Sequence, residues 1–237
     1  WKRTNYLETI INALNNQTIA DRIVFHIVNN NTEKNNVIDS IVRKAGILNF
    51  EIRVKHTNKN LYSFERFNYI KELMNTEYLD YAIIIDDDQT FENDYFEKLY
   101  NIREPKTFKT WFGKIFDTSK KISYWDGLSY TLKFKDLLTN NKKELDVFHY
   151  GGPGGCIIDA NIFRTTVLYD IPYKKVIEMD DVWLSYVIYK LNWDIKRSFL
   201  PPIRLEQGVT DTSMIGNYNN SKQELLEYLM DKHGWKF

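Results

Sequence analysis

The sequence has 237 residues, of which 43% are hydrophobic, which is enough for one large domain with a sizeable core. Basic and acidic residues balance at 32 each, so net charge does not indicate binding to nucleic acid or to an anionic membrane. The single cysteine, Cys156, excludes an internal disulfide and a cysteine-based zinc cluster. No apolar run approaches the ~20 residues of a membrane span. We expect a cytoplasmic protein, because no targeting signal is visible, and a fragment of a longer chain, because the sequence begins with Trp1.

The first half of the sequence alternates between helical and extended patterns. A first helix is predicted from the spacing of Leu7, Ile10, Ile11 and Leu14, with Asn5 and Glu8 as a capping box. The elements that follow are a strand at residues 23–28, a helix at 37–42, a strand at 51–56, a helix at 63–74 and a strand at 81–85. This order predicts βαβ units and a mostly parallel sheet.

The second half is less regular. We expect strands at residues 108–116 and 121–125, a charged loop or exposed helix at 133–145, and a strand at 147–158 that is broken by glycines. A helix at 182–191, a strand at 193–199 and a helix at 223–230 complete the prediction. The chain as a whole is therefore predicted to be α/β.

Three consecutive carboxylates, Asp86, Asp87 and Asp88, follow the apolar strand at residues 81–85. Such a strand is typical of one buried on both faces, and ligands bind at the carboxyl ends of strands in open α/β sheets. Adjacent anions raise each other's proton affinity unless a cation lies among them. On an extended segment Asp86 and Asp88 would share one face, and their oxygens suit Mg²⁺ or Mn²⁺ with a diphosphate substrate. The alternative interpretation is a solvated acidic turn.

An acidic pair, a glycine-rich run and two arginines are further candidates for catalysis or ligand binding. Asp180 and Asp181 precede an apolar helix, where they would be either ordinary N-terminal carboxylates or a general base for an attacking hydroxyl. The glycine-rich run at residues 151–155 would permit close approach to a ligand, or would mark a bulged strand. Arg66 and Arg3 are candidate ligands for a phosphate or a base edge, or surface residues. The four histidines form no ligand pattern, and we interpret them as structural.

Together these motifs resemble the GT-A class of nucleotide-sugar glycosyltransferases, in particular the family-2-like group. The resemblance spans about residues 1–200 and rests on the opening Trp1-Lys2-Arg3 and first helix, Asp86-Asp87-Asp88, the run at 151–155 and Asp180-Asp181. It implies a single GT-A-like (Rossmann-like) α/β domain over residues 1–237, with a mostly parallel mixed central sheet flanked by helices. Residues 1–105 would form the nucleotide-sugar-binding half and residues 106–237 the acceptor-binding half.

The resemblance also implies roles for individual residues. Asp88 would be the main ligand of Mn²⁺ or Mg²⁺, together with Asp86. The nucleotide-sugar would be bound by Arg3, Asn29, Asn30, Asn31, Arg66, Asp86 and Asp87, and the acceptor or sugar by Trp125, Asp126, Gly154 and Gly155. Asp181, with or without Asp180, would be the base. The implied activity is an inverting, metal-dependent hexosyl transfer from a UDP-sugar to a hydroxyl of a glycan or other acceptor.

The sequence departs from this family in two respects. The family has a strand before the position of Trp1, and many members have a metal-binding histidine late in the chain. No histidine lies between Asp181 and Met230. Glu206 or Asp211, or water and diphosphate, would have to complete the metal shell instead.

Two alternative functions fit some of the same residues. The pattern Asp86-x-Asp88-x-Thr90 also resembles the nucleophile motif of haloacid-dehalogenase-like phosphatases, in which Asp86 would form an aspartyl-phosphate. That motif normally follows the first strand, whereas several elements precede it here. A non-catalytic carbohydrate-binding protein is the other alternative, since aromatic residues make up 15% of the sequence and suit stacking on sugars.

Overall fold

The computed structural model describes residues 4–126, 128–130, 147–205 and 220–237, and within them helices and mixed sheets confirm the α/β class. The α-helices are α1 (Leu7–Asn15), α2 (Asn35–Lys44), α3 (Glu65–Leu73), α4 (Tyr95–Asn101), α5 (Thr166–Tyr169), α6 (Lys175–Glu178), α7 (Asp180–Lys190) and α8 (Ser221–His233). Short 3₁₀ helices lie at Ala20–Arg22, Thr32–Lys34, Tyr62–Phe64 and Ala160–Arg164.

The strands of the described residues form four small sheets, and no single central sheet is found among them. They are β1 (Val24–Asn29), β2 (Glu51–His56), β3 (Tyr81–Ile84), β4 (Gln89–Thr90), β5 (Thr107–Thr110), β6 (Gly113–Ile115), β7 (Leu128–Tyr130), β8 (Tyr150–Gly151), β9 (Cys156–Asp159), β10 (Asp194–Arg197) and β11 (Ile203–Arg204). The largest sheet has the order β10-β5-β9-β3, and β1-β2, β11-β4 and β7-β6-β8 are separate. Among the described strands only β1-β2 and β10-β5 pair in parallel, so a mostly parallel central sheet is not found.

The helical and extended patterns of the first half are confirmed nearly residue by residue. Helix α1 buries all four of its predicted apolar residues, β1 and β2 lie where expected, and α3 is preceded by one 3₁₀ turn. The capping box is wrong: Tyr6 occupies the N-cap position and makes no side-chain cap bond. The spacing of the apolar residues thus located α1 correctly. The contacts at its N-terminus depend instead on the conformation of the residues that precede the helix.

The strand before the acidic run differs from its prediction. Only Ile84 is fully buried in β3, and β3 pairs antiparallel with β9. The chain then turns at Asp87 and Asp88 into β4. Because these two residues lie in a turn, the alternation that would place Asp86 and Asp88 on one face of a strand does not apply.

The second half shows the larger corrections. Residues 121–125 are irregular and turn-like instead of a strand, and β7 pairs with β6 in their place. The expected strand at 108–116 is divided into β5 and β6, and the strand at 147–158 into β8 and β9 by the glycine-rich run. Helices α4, α5 and α6 were not predicted. The charged segment at 133–145 lies outside the described residues.

The β10-β5-β9-β3 sheet separates two apolar cores. Along β9, Cys156 and Ile158 face the core beneath α7 and α8, whereas Ile157 faces the core of α1 and α4. Along β3, Ala82 and Ile84 face the core beneath α7 and α8, and Tyr81 and Ile83 face the core of α1 and α4, because successive side chains of a strand point to opposite faces. The acidic run therefore leaves the sheet at the boundary between two packed layers. No helix within the described part of the chain is both long and apolar enough to cross a membrane.

The glycine-rich run is fixed to helix α4 through one buried hydroxyl. Tyr95, 3% exposed, donates to the carbonyl of Gly155 at 2.9 Å and lies 3.3 Å from that of Leu200. Gly155 has φ +73°, and an added Cβ would lie 2.9 Å from both this hydroxyl and Pro202. A glycine is therefore required here, and Tyr95 holds the run against the first layer.

We expect Tyr95→Phe to lower the free energy of unfolding by about 1–3 kcal/mol, because two carbonyls at a buried site lose their donor. Urea denaturation monitored by circular dichroism measures this. The control is Tyr100→Phe on the same helix, whose half-buried ring faces the guanidinium of Arg103. An equal effect of the two substitutions would contradict the anchoring role of Tyr95.

Candidate functional site

Arg66 of α3 links the acidic run to the start of α7. Its Nη1 donates to Asp86 Oδ1 at 3.2 Å, while Nη2 and Nε donate to Asp180 Oδ2 at 2.6 and 3.1 Å. Ser63 donates to Asp180 Oδ1 at 2.8 Å. Asp180 thus uses both oxygens on protein partners and is 5% exposed, which suits an anchor better than a base. Arg66, predicted to reach the nucleotide, is committed to these two carboxylates.

Asp86 lies against the glycine-rich run. Its Oδ2 occupies the space that a side chain on Gly154 would fill, because an added Cβ there would lie 2.0 Å from that oxygen. The carbonyl of Gly154 accepts from Trp111 Nε1 at 2.7 Å, and the amide of Asp86 donates to buried Gln89 at 3.0 Å. Asp86, predicted to bind the metal and the nucleotide-sugar, and Gly154, predicted to bind the acceptor or sugar, are therefore in contact. Gly155 packs against Tyr95 and Pro202 instead.

The charge on Asp86 is only partly compensated. Enclosure by the protein raises the pKa of Asp86; Arg66 opposes this rise, and the neighbouring Asp88 and Asp87 add to it. Its side chain nevertheless remains 43% exposed, so solvent or a ligand can still reach it. A further cation near Asp86 would favour its ionised form.

Asp87 faces the other side of the acidic run. It lines a small cavity of about 90 Å³ with Asn29, at the end of β1, and with apolar residues of α1 and α2. Asn29 itself is 3% exposed; its Nδ2 donates to the carbonyl of Asn31 and to Asn35 Oδ1, and it lies 3.1 Å from His56 Nδ1. Asp87 and Asn29, both predicted to bind the nucleotide, therefore line the same cavity. The side-chain amide of Asn29 is already hydrogen-bonded to other residues of the protein, so Asn29 forms part of the cavity wall.

The predicted nucleotide-binding residues Asn30 and Asn31 follow Asn29 directly and are held by further loop contacts. Asn30 donates to Asn60 Oδ1 and to the carbonyl of Tyr62, and Asn31 accepts from Glu33 as the cap of a 3₁₀ helix. Both contacts stabilise loops. Arg3, Glu206 and Asp211 lie outside the described residues, so their predicted roles stay predictions.

Asp181 lies beside Asp180 but in a different set of contacts. Its Oδ2 accepts from Tyr150 at 2.6 Å and is paired with Lys222 of α8, while Oδ1 accepts from the amide of Val182 at 2.8 Å. Burial alone would raise the pKa of Asp181, but the ammonium of Lys222 and these hydrogen bonds hold it below its ordinary value. Asp181 is therefore a carboxylate at neutral pH.

An aromatic cluster extends from Asp181 to solvent. The ring of Tyr124 lies 5.3 Å from that of Tyr150 and 5.0 Å from that of Trp125, which is 47% exposed. Lys114 lies over the rings of Tyr124 and Trp125, and Asp126 is exposed beside them. The predicted acceptor residues Trp125 and Asp126 are thus linked to Asp181 through Tyr124 and Tyr150.

The residues at the acidic run offer oxygen ligands suited to Mg²⁺ or Mn²⁺, which retain waters and take part of their shell from phosphates. Asp86 and Asp88 would hold such an ion, and the partly compensated charge of Asp86 fits this. Within the described residues, no three His, Cys, Asp or Glu side chains form a group ready to hold a metal. A diphosphate would therefore have to supply much of the coordination.

No protein-family model matches the sequence, and no curated protein matches it either. The assignment of function thus depends on the residues themselves. Sequence reasoning missed Tyr150, Lys222, Ser63 and Lys114, which all contact the candidate acids or the aromatic cluster. No local pattern distinguishes them, since each is an ordinary strand, helix or turn residue brought to the site by long-range packing.

We expect Arg66→Met to lower the free energy of unfolding by about 3–5 kcal/mol, because it leaves Asp180 buried without its counter-charge. The side chains of Arg66 and Asp180 are 18% and 7% exposed. Chemical denaturation measures the loss. Arg53→Met is the control, since Arg53 pairs with Glu51 and Glu77 at the surface and should cost under about 1 kcal/mol. Similar losses in the two variants would refute the buried bridge.

Proposed function

We propose that this chain is a metal-dependent glycosyltransferase that moves a sugar from a nucleotide-sugar, UDP-linked, to an acceptor hydroxyl with inversion. One observation carries the proposal. The cavity beside Asn29, the acidic run, the Arg66 bridge, Asp181 and the exposed Trp125 form one continuous line of contacts across the two layers. Such a line provides a donor end, a charged centre and an acceptor end in that order.

The donor end is supported by Asp87 and Asp86. Asp87 borders the cavity that would receive part of the nucleotide, and Asp86, next to Gly154, would contact the ribose or sugar. Bound Mn²⁺ or Mg²⁺, held by Asp88 and Asp86, would supply positive charge that stabilises the departing diphosphate. Gly154 matters here because only a residue without a side chain leaves Asp86 in its place.

The acceptor end is supported by Asp181 and the aromatic cluster. Among contacts with described residues, Oδ1 of Asp181 accepts one hydrogen bond, from Val182, and an ionised carboxylate oxygen has capacity for a further one. This oxygen would accept the proton of the attacking hydroxyl. Trp125 offers an exposed ring on which an acceptor sugar would stack. Asp180, occupied by Arg66 and Ser63, would position the helix start instead.

The phosphatase alternative is less well supported. Its nucleophile motif normally follows the first strand, whereas β1 and β2 both precede Asp86 in this chain. An aryl phosphate with Mg²⁺ tests this alternative directly, because a phosphatase would hydrolyse it and the proposed transferase would not.

We expect Asp88→Ala to abolish metal-dependent nucleotide binding, because it removes the proposed main ligand of the ion. Isothermal titration calorimetry with UDP, with and without Mn²⁺, measures this. Asp94→Ala removes an aspartate that pairs with Lys98 on the surface of α4 and should bind UDP like the unaltered protein. Equal Mn²⁺-dependent affinity in the Asp88 variant and the control would disprove the metal assignment.

We expect Asp181→Asn to retain donor binding while turnover falls by ~10² or more, the usual scale for loss of an acid or base group. Release of UDP from UDP-hexoses in the presence of Mn²⁺ gives turnover, and calorimetry gives binding. Asp170→Asn, at an exposed aspartate, is the matched control. Full turnover in the Asp181 variant would show that the base is a different group.

A further inference from the structure

Helix α8 brings a lysine into contact with the proposed base. Lys222, in its first turn, pairs with Asp181 Oδ2 and lies 3.2 Å from the hydroxyl of Tyr124 and 3.4 Å from that of Tyr150. The side chains of Lys222 and Asp181 are only 17% and 14% exposed. An ion pair so enclosed is weakly screened by solvent and has a defined geometry.

The position of Lys222 is fixed by its helix and not by the ion pair alone. Leu225, Leu226 and Leu229 of α8 are fully buried in the core beneath α7. Gln223 accepts from the amide of Tyr124 at 2.6 Å, next to the aromatic cluster. A second ion pair, between Lys175 of α6 and Glu224 of α8, also holds α8 in place without involving Asp181.

The charges around Asp181 keep Lys222 protonated to higher pH than the neighbouring Lys114. The Asp181–Lys222 pair is surrounded by Tyr150 of β8, Tyr124 and Lys114 of β6. Asp126 lies near Lys114. Burial lowers the pKa of Lys114 to about 8, and the nearby charge of Lys222 contributes to this. The pKa of Lys222 is raised: burial would lower it, but Asp181 outweighs that effect. As pH rises, Lys114 therefore loses its proton first and Lys222 remains charged.

We propose that Lys222 is a positioning residue for the transfer reaction, which holds Asp181 through Oδ2 and leaves Oδ1 directed to the acceptor hydroxyl. This inference rests on the proposed function and adds α8 to the site. The two oxygens of Asp181 then have separate tasks. Oδ2 is fixed by Lys222 and Tyr150. Oδ1 accepts the proton that the hydroxyl loses as its oxygen bonds to the anomeric carbon of the sugar, and the bond from that carbon to the phosphate oxygen breaks to release UDP.

The loss of Lys222 would change the pH at which Asp181 ionises. A buried carboxylate without its cation takes up a proton more readily, so it stays protonated to higher pH. The base would be inactive over that range and active again once the pH exceeds the raised pKa of Asp181. A residue that only stabilised the fold would lower activity equally at every pH.

The test uses Lys222→Met, Lys222→Arg and Lys175→Met. Rates of UDP release from UDP-hexoses with Mn²⁺ are measured as a function of pH, and the side-chain carboxyl of Asp181 is titrated by NMR, with Asp181→Asn for its assignment. We expect the acid limb of kcat/KM to move to higher pH by about one unit or more in Lys222→Met. Lys222→Arg should largely restore it, and Lys175→Met should leave it unchanged.

The two measurements separate the possible failures. An unmoved Asp181 titration in folded Lys222→Met, or in Lys222→Gln if the methionine variant does not fold, would overturn the inference. So would a moved titration with an unchanged pH profile of kcat/KM, because Lys222 would then be irrelevant to the rate. Absence of UDP release in the unaltered protein with every UDP-hexose would overturn the proposed function, while the NMR titration would still decide whether Lys222 controls Asp181.

Discussion

A single guanidinium, that of Arg66, is shared between Asp86, which follows β3, and Asp180, which begins α7. Two carboxylates from segments almost a hundred residues apart would repel each other if they met without a cation. With Arg66 between them, the end of the β10-β5-β9-β3 sheet and the start of α7 can pack together. The position of Asp181 follows from this contact, since it is the next residue along the helix.

The same guanidinium limits what the acidic run can bind. Arg66 occupies one oxygen of Asp86, and Gly154 lies against the other, so the carboxylate has little freedom to rotate. The pKa of Asp86 is nevertheless raised by enclosure despite Arg66. A ligand at this point must therefore bring positive charge with it, or hydrogen-bond donors, and must fit a carboxylate that is already oriented. A phosphate without a metal would meet repulsion here.

Local sequence patterns predicted the elements up to β3 well, the later elements less well, and the pairing of strands poorly. The spacing of Leu7, Ile10 and Leu14 fixed α1 because burial of one helix face is a local property. The parallel pairing of the strand at residues 81–85 was not found, since which strand lies beside β3 depends on β9, seventy residues later. In the candidate site, Asp86 to Asp88 and Asp180 with Asp181 could be selected from the sequence because consecutive residues of like charge are easily recognised. Tyr150 and Lys222 were missed because nothing in their own neighbourhoods marks them as partners of Asp181.

The position of Lys222 near the end of the sequence determines when its ion pair with Asp181 can form. Among the described residues, the other hydrogen bonds to the Asp181 side chain come from Tyr150 and Val182, yet its counter-ion lies on a helix that begins at Ser221. During synthesis, the ion pair between Asp181 and Lys222 therefore cannot form before residue 222 has been added to the chain. Of the residues named in the proposed site, the proposed base would be the last to gain its partner.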